Sequence, residues 1–162
     1  MQELEPLTAI SSVDGRYRSV VEPLAKYFSE FGLIHKRAIV ECEYLIALSR
    51  AGIGLREFTD NEKKELRNCA DIKVSDAEII KEIEREGCEG ILATNHDVKA
   101  IEYYLKLKLK NTSLKDVLEW IHFGLTSEDI NSVAYGFALR SALAEVLIPA
   151  LRKITEIGRA HV

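Results

Sequence analysis

Helical periodicity of the apolar residues is the feature that most constrains the fold of this 162-residue chain. Val98, Ile101, Leu105 and Leu109 recur at the spacing of one helix face, and the segment at residues 29–52 repeats the pattern. We find no stretch with the alternation of apolar and polar residues that a half-buried strand requires. The sequence therefore predicts an all-α fold.

Short polar signals predict where several of these helices begin. TDNE at residues 59–62 and SDAE at residues 75–78 have the form of a capping box, in which a hydroxyl and a carboxylate each satisfy a backbone N–H. Gly87 predicts the end of the second of these helices. SLKD at residues 113–116 predicts another helix, which should continue through Trp120.

The last helical segment runs from Thr126 towards Val162 and includes the most apolar part of the chain, residues 133–151. Its core face is expected to consist of four apolar residues, namely Ile130, Val133, Phe137 and Leu143. Charged residues interrupt the apolar run, which favours a core helix over a membrane span. Pro149 is expected to kink or divide this segment, because proline lacks the backbone N–H that a helix needs.

Composition and charge exclude several classes of function. The formal net charge is −4 and the basic residues are scattered, so a nucleic-acid partner is not predicted. Cys42, Cys69 and Cys88 lie far apart, which fits a reducing cytoplasm better than a disulfide scaffold or a zinc site. The first residues do not have the pattern of a signal peptide. No metal or nucleotide-cofactor motif is found in the sequence.

A first polar cluster lies in VDGRYR at residues 13–18. Asp14-Gly15 predicts a turn from which Arg16 and Tyr17 project. Arg16 could be a solvated loop residue, with Tyr17 packed on the next helix. Alternatively, its planar guanidinium could bind a carboxylate or a phosphate through two hydrogen bonds.

A second cluster, TNHD at residues 94–97, precedes the helix described first. Thr94 and Asp97 have capping-box spacing, so capping alone could explain them. Asn95 and His96 would then lie in the first turn, where free backbone N–H groups favour an anion. His96 could donate a hydrogen bond to an oxyanion or move a proton, although a lone histidine can also be structural.

The third cluster, GLTSEDIN at residues 124–131, repeats the same arrangement. Thr126 and Asp129 predict a helix cap, and Ser127 is expected in the first turn. Two polar helix starts could converge on one ligand. The other internal histidines are weaker candidates, because His35 is expected to be solvated and His122 to be packed or capping.

Taken together and in this order, SSVDGRY, TNHDVKAIEYYLK and HFGLTSEDIN resemble the adenylosuccinate lyase family, in the branch found in many bacteria and in plants. The resemblance implies a member of the fumarase/aspartase superfamily, whose proteins are mainly helical homotetramers with active sites built from three subunits. It implies elimination of fumarate from adenylosuccinate, and from the succinylated carboxamide ribotide of purine synthesis, by a cytoplasmic enzyme without metal or organic cofactor. Residues 1–124 would form the N-terminal helical domain, and residues 125–162 would begin the central helical bundle.

The resemblance also implies roles for particular residues. Arg16 and Tyr17 match an Arg-Tyr pair that contacts the nucleotide. The turn of Asn95, His96 and Asp97 matches a substrate-binding Asn-His-Asp, with an auxiliary catalytic role for the histidine. The third match is a Thr-Ser pair that holds the succinyl part, here Thr126 and Ser127.

Other functions remain open from the sequence. The family's principal catalytic histidine, in a THGQ motif, and its catalytic serine would lie beyond residue 162, so the chain is expected to be truncated and inactive alone. Another lyase of the superfamily, such as argininosuccinate lyase or a fumarase, is one alternative. A helical interaction module without catalysis is another. The family's usual link before Thr94 is shorter, since residues 87–92 lengthen it here.

Overall fold

The computed structural model describes residues 6–159, with side-chain surroundings up to residue 158. Its longer elements are helices joined by turns, 3₁₀ segments and one small hairpin. In order, the elements are α1 (Arg18–Val21), α2 (Ala25–Phe28), α3 (Glu30–Arg50), α4 (Asp60–Ala70), α5 (Val74–Arg85), β1 (Gly87–Cys88), β2 (Ile91–Leu92), α6 (Asp97–Leu109), α7 (Ser127–Ala142) and α8 (Ile148–Arg159). Short 3₁₀ turns at Glu22–Leu24 and Leu118–Trp120 and a π-helical segment at Leu143–Leu147 complete the list.

The predicted all-α class is confirmed, with one small hairpin added to it. Strands β1 and β2 pair antiparallel, with Gly87 opposite Leu92. Glu89 and Gly90 form the turn with φ values of 47° and 84°, the left-handed conformation that tight hairpins require. The additional residues 87–92 are therefore folded into a compact turn between α5 and α6.

The capping signals differ in how well they located the helix starts. At α4 the prediction is confirmed, because the Thr59 side chain accepts from the Glu62 N–H and the Glu62 carboxylate accepts from the Thr59 N–H. At α5 the prediction is wrong by two residues. That helix begins at Val74, and Asp76 accepts from the Lys73 N–H, so Ser75 already lies inside the helix. Gly87 follows the end of α5 with a φ of 86°, as predicted.

The helix predicted from SLKD does not form. Residues 113–123 make successive turns and one 3₁₀ segment, Leu118–Trp120. Tertiary contacts explain the difference, because the polar residues of this segment bind Arg56 and Glu62 instead of capping a helix. Arg56 donates to the Ser113 carbonyl and to Asp116, and the Ser113 hydroxyl donates to Glu62.

By its internal contacts the chain divides into two units. The first contains residues 1–32 and 138–162, and the second contains residues 33–137. The first unit has a small core in which Tyr27 packs with Ala138 and Ala142. In the same unit, Lys26 and the Tyr27 hydroxyl both donate to Glu145. The predicted domain boundary at residues 124–125 stays a prediction, and residues 160–162 lie outside the described part.

The second unit has the larger core. Its fully buried side chains come mainly from α3, α4, α5 and α6, and the largest are Leu45, Ile46, Leu66, Ile80, Ile83, Tyr104, Ile101 and Leu105. Among these, Leu105 and Ile101 belong to the periodic stripe on which the helix prediction for α6 rested. The stripe on α3 is also confirmed, since Ile34, Ala38 and Leu45 are buried.

The predicted core face of the last helical segment is largely wrong. Ile130 is buried, with 1% of its surface exposed, whereas Val133 is 57% exposed and Phe137 and Leu143 are also exposed. Periodicity shows which face is apolar but not what covers it. The buried face of this segment instead follows Ile130, Ala134, Ala138 and Ala142, at intervals of four residues.

The division predicted at Pro149 does not occur, because the helix continues without a break from Ser127 to Arg159, and the alternative of a kink stays a prediction. The helix changes to π-helical hydrogen bonding at Leu143–Leu147, directly before the turn that contains the proline, and α8 follows. Such a local change accommodates a backbone position that has no N–H. Among the described residues, the run Ser127–Gly158 is also long and apolar enough to cross a membrane by length and composition, a test that core helices of soluble proteins also pass.

The buried carboxylate of Glu62 gives a prediction about acid stability. Its hydrogen bond with Arg56 lowers the pKa of Glu62 to about 2, against the opposing effect of burial. A lowered pKa contributes stability above the unfolded value of about 4.3, and that contribution is lost as the pH falls towards 2. Glu62→Gln should therefore reduce the free energy of unfolding at pH 7 by about 1–3 kcal/mol and flatten its decrease in acid. Urea denaturation across this pH range measures both effects.

Glu57→Gln is the matched control, because this neighbouring carboxylate is 74% exposed. We expect the control to stay within about 0.5 kcal/mol of the original protein. If the free energy of unfolding of Glu62→Gln decreased in acid as steeply as that of the original protein, the lowered pKa of Glu62 would not be the cause of that decrease.

Candidate functional site

The start of α6 differs from the predicted capping box. The helix begins at Asp97 and its N-cap is His96, whose Nδ1 accepts the Lys99 N–H at 3.3 Å. Thr94 does not cap the helix. Its hydroxyl instead donates to the His96 carbonyl and accepts from the His96 N–H, which fixes the backbone of the turn.

Asn95 occupies the corner of this turn. Its φ of 49° is left-handed, a conformation that asparagine tolerates better than most residues. The Asn95 N–H donates to the carbonyl of Glu84 at the end of α5, and its side chain is exposed. The corner therefore leads the chain from α5 into the start of α6, where His96 reaches the start of α7.

His96 and Ser127 are brought together by the structure. His96 Nε2 lies 3.2 Å from the Ser127 hydroxyl oxygen. Because Nδ1 accepts from a backbone N–H, a neutral His96 carries its proton on Nε2. The first turns of α6 and α7 are thus joined by an imidazole that donates towards a hydroxyl.

Asp97 is held by a buried arginine. Arg37 of α3 is only 5% exposed, and its Nη1 lies 2.7 Å from Asp97 Oδ2. The same guanidinium donates through Nε to Asn131 on α7. Burial alone would raise the pKa of Asp97, but Arg37 and the Val98 N–H hold it below its ordinary value. Arg37 therefore binds the starts of α6 and α7 to α3 at once.

At the start of α7, only part of the predicted capping box forms. The Asp129 carboxylate accepts from both the backbone N–H and the hydroxyl of Thr126. These hydrogen bonds lower the pKa of Asp129. The Thr126 hydroxyl is thus a donor rather than the acceptor of a full capping box, and Ser127 follows as the first helical residue.

These residues surround a cleft within the second unit. The cleft has a volume of about 480 Å³ and is lined by side chains from the starts of α6 and α7 and from the loop before α7. The lining residues are Thr94, His96, Lys99, His122, Leu125, Thr126 and Ser127. Hydroxyl, imidazole and ammonium groups at two helix N-termini favour an anionic ligand. Among residues 6–159, no group of His, Cys, Asp and Glu side chains has an arrangement that could hold a metal ion.

Two residues of the site were missed by the sequence reasoning. His122 lines the cleft, with a left-handed φ of 63°, and its Nδ1 lies 2.6 Å from Glu41 Oε1. Glu41 belongs to α3 and is 1% exposed. Burial raises the pKa of Glu41, and the hydrogen bond with His122 opposes that effect. The available signal was the position of Glu41, which interrupts the apolar stripe of α3. The expectation that His122 is a packed residue is correct in part, whereas His35 is half-buried rather than solvated.

Arg16 and Tyr17 belong to the first unit, so their predicted participation in the same site stays a prediction. Both side chains are exposed, Tyr17 by 48%. Gly15 is buried at the preceding turn, where an added Cβ would lie 2.8 Å from the Pro6 carbonyl oxygen. The ion pairs of this turn are made by Arg18, with Asp14 and with Glu22. Arg16 has no ion pair within residues 6–158.

Comparison with known proteins places these features in a family. A family model described as Lyase matches residues 15–160. The adenylosuccinate lyase of Haemophilus influenzae is 44% identical over 162 residues, which are 97% of this chain and 34% of the relative. The adenylosuccinate lyase of Dictyostelium discoideum is 42% identical over 158 residues, 93% of this chain and 32% of the relative. The chain thus spans about a third of the length of these relatives.

The helical fold agrees with this match, and the chain belongs to the lyase family. Within that family it is similar along nearly its whole length to adenylosuccinate lyases, including one from Legionella pneumophila that is 40% identical.

The Arg37–Asp97 contact can be tested by a double-mutant cycle. Asp97→Ala leaves a buried guanidinium without its carboxylate and should reduce the free energy of unfolding by about 2–3 kcal/mol. When Arg37→Met is present, the same change should cost about 1 kcal/mol or less, because no buried charge is then left unpaired. Urea denaturation of the four proteins measures the coupling.

The exposed ion pair of Lys110 and Glu89 provides a matched cycle. Its coupling should be below about 1 kcal/mol, as for surface pairs generally. Equal coupling energies in the two cycles would show that burial of Arg37 does not strengthen its interaction with Asp97.

Proposed function

We propose that this chain is part of an adenylosuccinate lyase, which eliminates fumarate from adenylosuccinate to give AMP. The same reaction would release fumarate from the succinylated carboxamide ribotide of purine synthesis. One observation carries the proposal, namely the cleft in which His96 Nε2 meets the Ser127 hydroxyl at the starts of two helices. The similarity to adenylosuccinate lyases supports it.

The chemistry of this elimination explains the groups in the cleft. Removal of a proton beside a carboxylate leaves a carbanion, whose charge spreads onto the carboxylate oxygens. Fixed donors at that position stabilise the transition state more than the ground state. The Ser127 hydroxyl and the free N–H groups at the start of α7 would hold the succinyl part of the substrate. The Thr126 hydroxyl would join them by turning its O–H from Asp129 to the substrate carboxylate.

His96 would act as an auxiliary catalytic residue in the cleft. Its proton on Nε2 can be donated to an oxygen or nitrogen of the substrate. Asn95 and Asp97 would complete the substrate-binding turn, with Asp97 acting chiefly through Arg37. Arg16 and Tyr17 would contact the nucleotide. The principal acid and base would lie beyond residue 162, and the reaction would need no metal or organic cofactor.

The proposal includes self-association into a homotetramer in the cytoplasm, with neither nucleic acid nor membrane as a partner. Exposed apolar residues on the last helices support the association. Leu147, Leu151 and Ile154 recur at helical spacing, and the last two are 61% and 65% exposed. A second helix would pack against this one apolar face. A membrane-spanning helix would instead need apolar residues on all of its sides.

The activity is tested in the natural polypeptide that carries this chain. Its release of fumarate from adenylosuccinate, followed by ultraviolet absorbance, should fall by about 100-fold in His96→Gln and in Ser127→Ala, because each loses a donor to the substrate. His35→Gln is the matched control, since His35 lies outside the cleft and should leave the rate nearly unchanged.

Other outcomes separate the alternatives. Turnover of argininosuccinate or malate instead of adenylosuccinate would assign the chain to another lyase of the superfamily. Absence of all three activities in the natural polypeptide would favour a helical interaction module. Fumarate release by the 162-residue chain alone would show that the principal acid and base lie within it.

Self-association is tested on the chain itself by light scattering. We expect an oligomer or soluble aggregate, and the double substitution Leu151→Lys, Ile154→Lys should shift it towards the monomer by removing apolar surface and adding charge. Thr155→Lys, which adds a charge on the same exposed helix without removing an apolar side chain, should shift it much less. A clean, stable monomer before substitution would contradict the proposal.

A further inference from the structure

Glu41 is a buried acid that the proposed reaction does not use. Its side chain lies on the apolar face of α3, and Oε1 has His122 Nδ1 as its partner. Its second oxygen, Oε2, is buried without a hydrogen-bond partner among the described residues. Burial of an incompletely paired carboxylate costs free energy, so stability alone does not explain an acid here.

The neighbouring charges do not compete for His122. Glu102 is the other buried carboxylate near Glu41, and its two oxygens are held by Lys99 at 2.7 Å and Lys106 at 3.1 Å. Asp129, on α7, is occupied by the N–H and hydroxyl of Thr126. Glu41 is thus the acid that determines the state of the His122 ring.

The loop that carries His122 is held by α3 at two points. Glu41 binds the His122 side chain, and Tyr44, one turn further along the helix, donates to the Phe123 carbonyl at 2.9 Å. Between them, His122 keeps a left-handed φ of 63°, which is unfavourable for a residue with a side chain. These contacts place the chain that leads directly to Thr126 and Ser127.

The hydrogen bond also fixes the position of a proton. An ionised carboxylate can only accept, so Nδ1 of His122 must donate, and a neutral ring then has an unprotonated Nε2. His96 has the opposite tautomer, because its Nδ1 accepts the Lys99 N–H. Two imidazoles that line one cleft are therefore held with opposite proton positions, one suited to donate and one to accept.

We propose that Glu41 is a positioning residue of the cleft, which holds the proton of His122 on Nδ1 and so keeps Nε2 as an acceptor beside the donor Nε2–H of His96. The arrangement fits a ligand that offers an anionic oxygen to His96 and an N–H or O–H group to His122. A secondary amine that bears a carboxylate on the adjacent carbon has both groups. The catalytic consequence rests on the proposed function, whereas the proton position does not.

The proton position is tested by ¹⁵N NMR of the histidine rings, which reports the tautomer without substrate, in the 162-residue chain that carries Leu151→Lys and Ile154→Lys to favour the monomer. At neutral pH the spectrum should show His122 protonated on Nδ1 and His96 on Nε2. Glu41→Gln has nearly the same shape but can either donate or accept, so it should convert His122 to a mixture of tautomers. Glu41→Asp should retain the Nδ1–H form. A His122 protonated on Nε2, or an unchanged spectrum in Glu41→Gln, would overturn the proposal.

Glu62→Gln is the matched control for loss of a buried carboxylate, since Glu62 contacts none of the residues that line the cleft. It should lower stability without changing the His122 spectrum. In the natural polypeptide, Glu41→Gln should reduce kcat for fumarate release by about tenfold or more, with recovery in Glu41→Asp. An unchanged kcat would refute the positioning role, even where the tautomer changes. If the original polypeptide releases no fumarate, the proposed function fails while the NMR result still decides the proton position.

Discussion

The buried guanidinium of Arg37 is the interaction on which the geometry of the cleft depends. A charge that is 5% exposed must keep its partners, because an unpaired buried ion costs several kcal/mol. Its partners, Asp97 and Asn131, lie in the first turn of α6 and the second turn of α7. Any displacement of either helix start breaks a hydrogen bond to a desolvated cation. This penalty restricts the two helix starts to one arrangement, and the distance between His96 and Ser127 follows from it.

The structure assigns each imidazole of the cleft a structural task that also determines its chemistry. His96 caps α6 through one ring nitrogen, which leaves the other as a donor, and His122 binds a buried acid, which leaves the other as an acceptor. Capping and ligand binding, which the sequence presents as alternatives for TNHD, are therefore compatible. The Nδ1 atom of His96 caps the helix, and its Nε2–H can bind a ligand.

The sequence predicted the polar helix starts but not the groups that hold them. His96, Thr126 and Ser127 stand out because they interrupt helical patterns at boundaries, where polar residues have a recognisable purpose. Arg37 and Glu41 occur inside a helix, and a charged residue there is ordinarily solvated. Glu41 could have been noticed, since Ile34, Ala38 and Leu45 place position 41 on the buried face. Its partner could not, because a contact across 81 positions is decided by tertiary packing. SLKD failed for the same reason, since tertiary partners took the polar groups that were expected to cap a helix.

In the described chain, the buried charges have partners, whereas one apolar face is left exposed. The buried charges of the second unit find their partners within residues 33–137, so the positions of His96 and His122 rest on contacts inside that unit. The apolar face at Leu151 and Ile154 stays exposed in the described chain, which favours the proposed self-association. In the proposed self-association, partner chains would therefore add groups to a cleft that contacts within residues 33–137 already arrange. A substitution on the exposed face should accordingly leave the ring geometry of His96 intact, and any loss of activity that it caused would come from the missing groups.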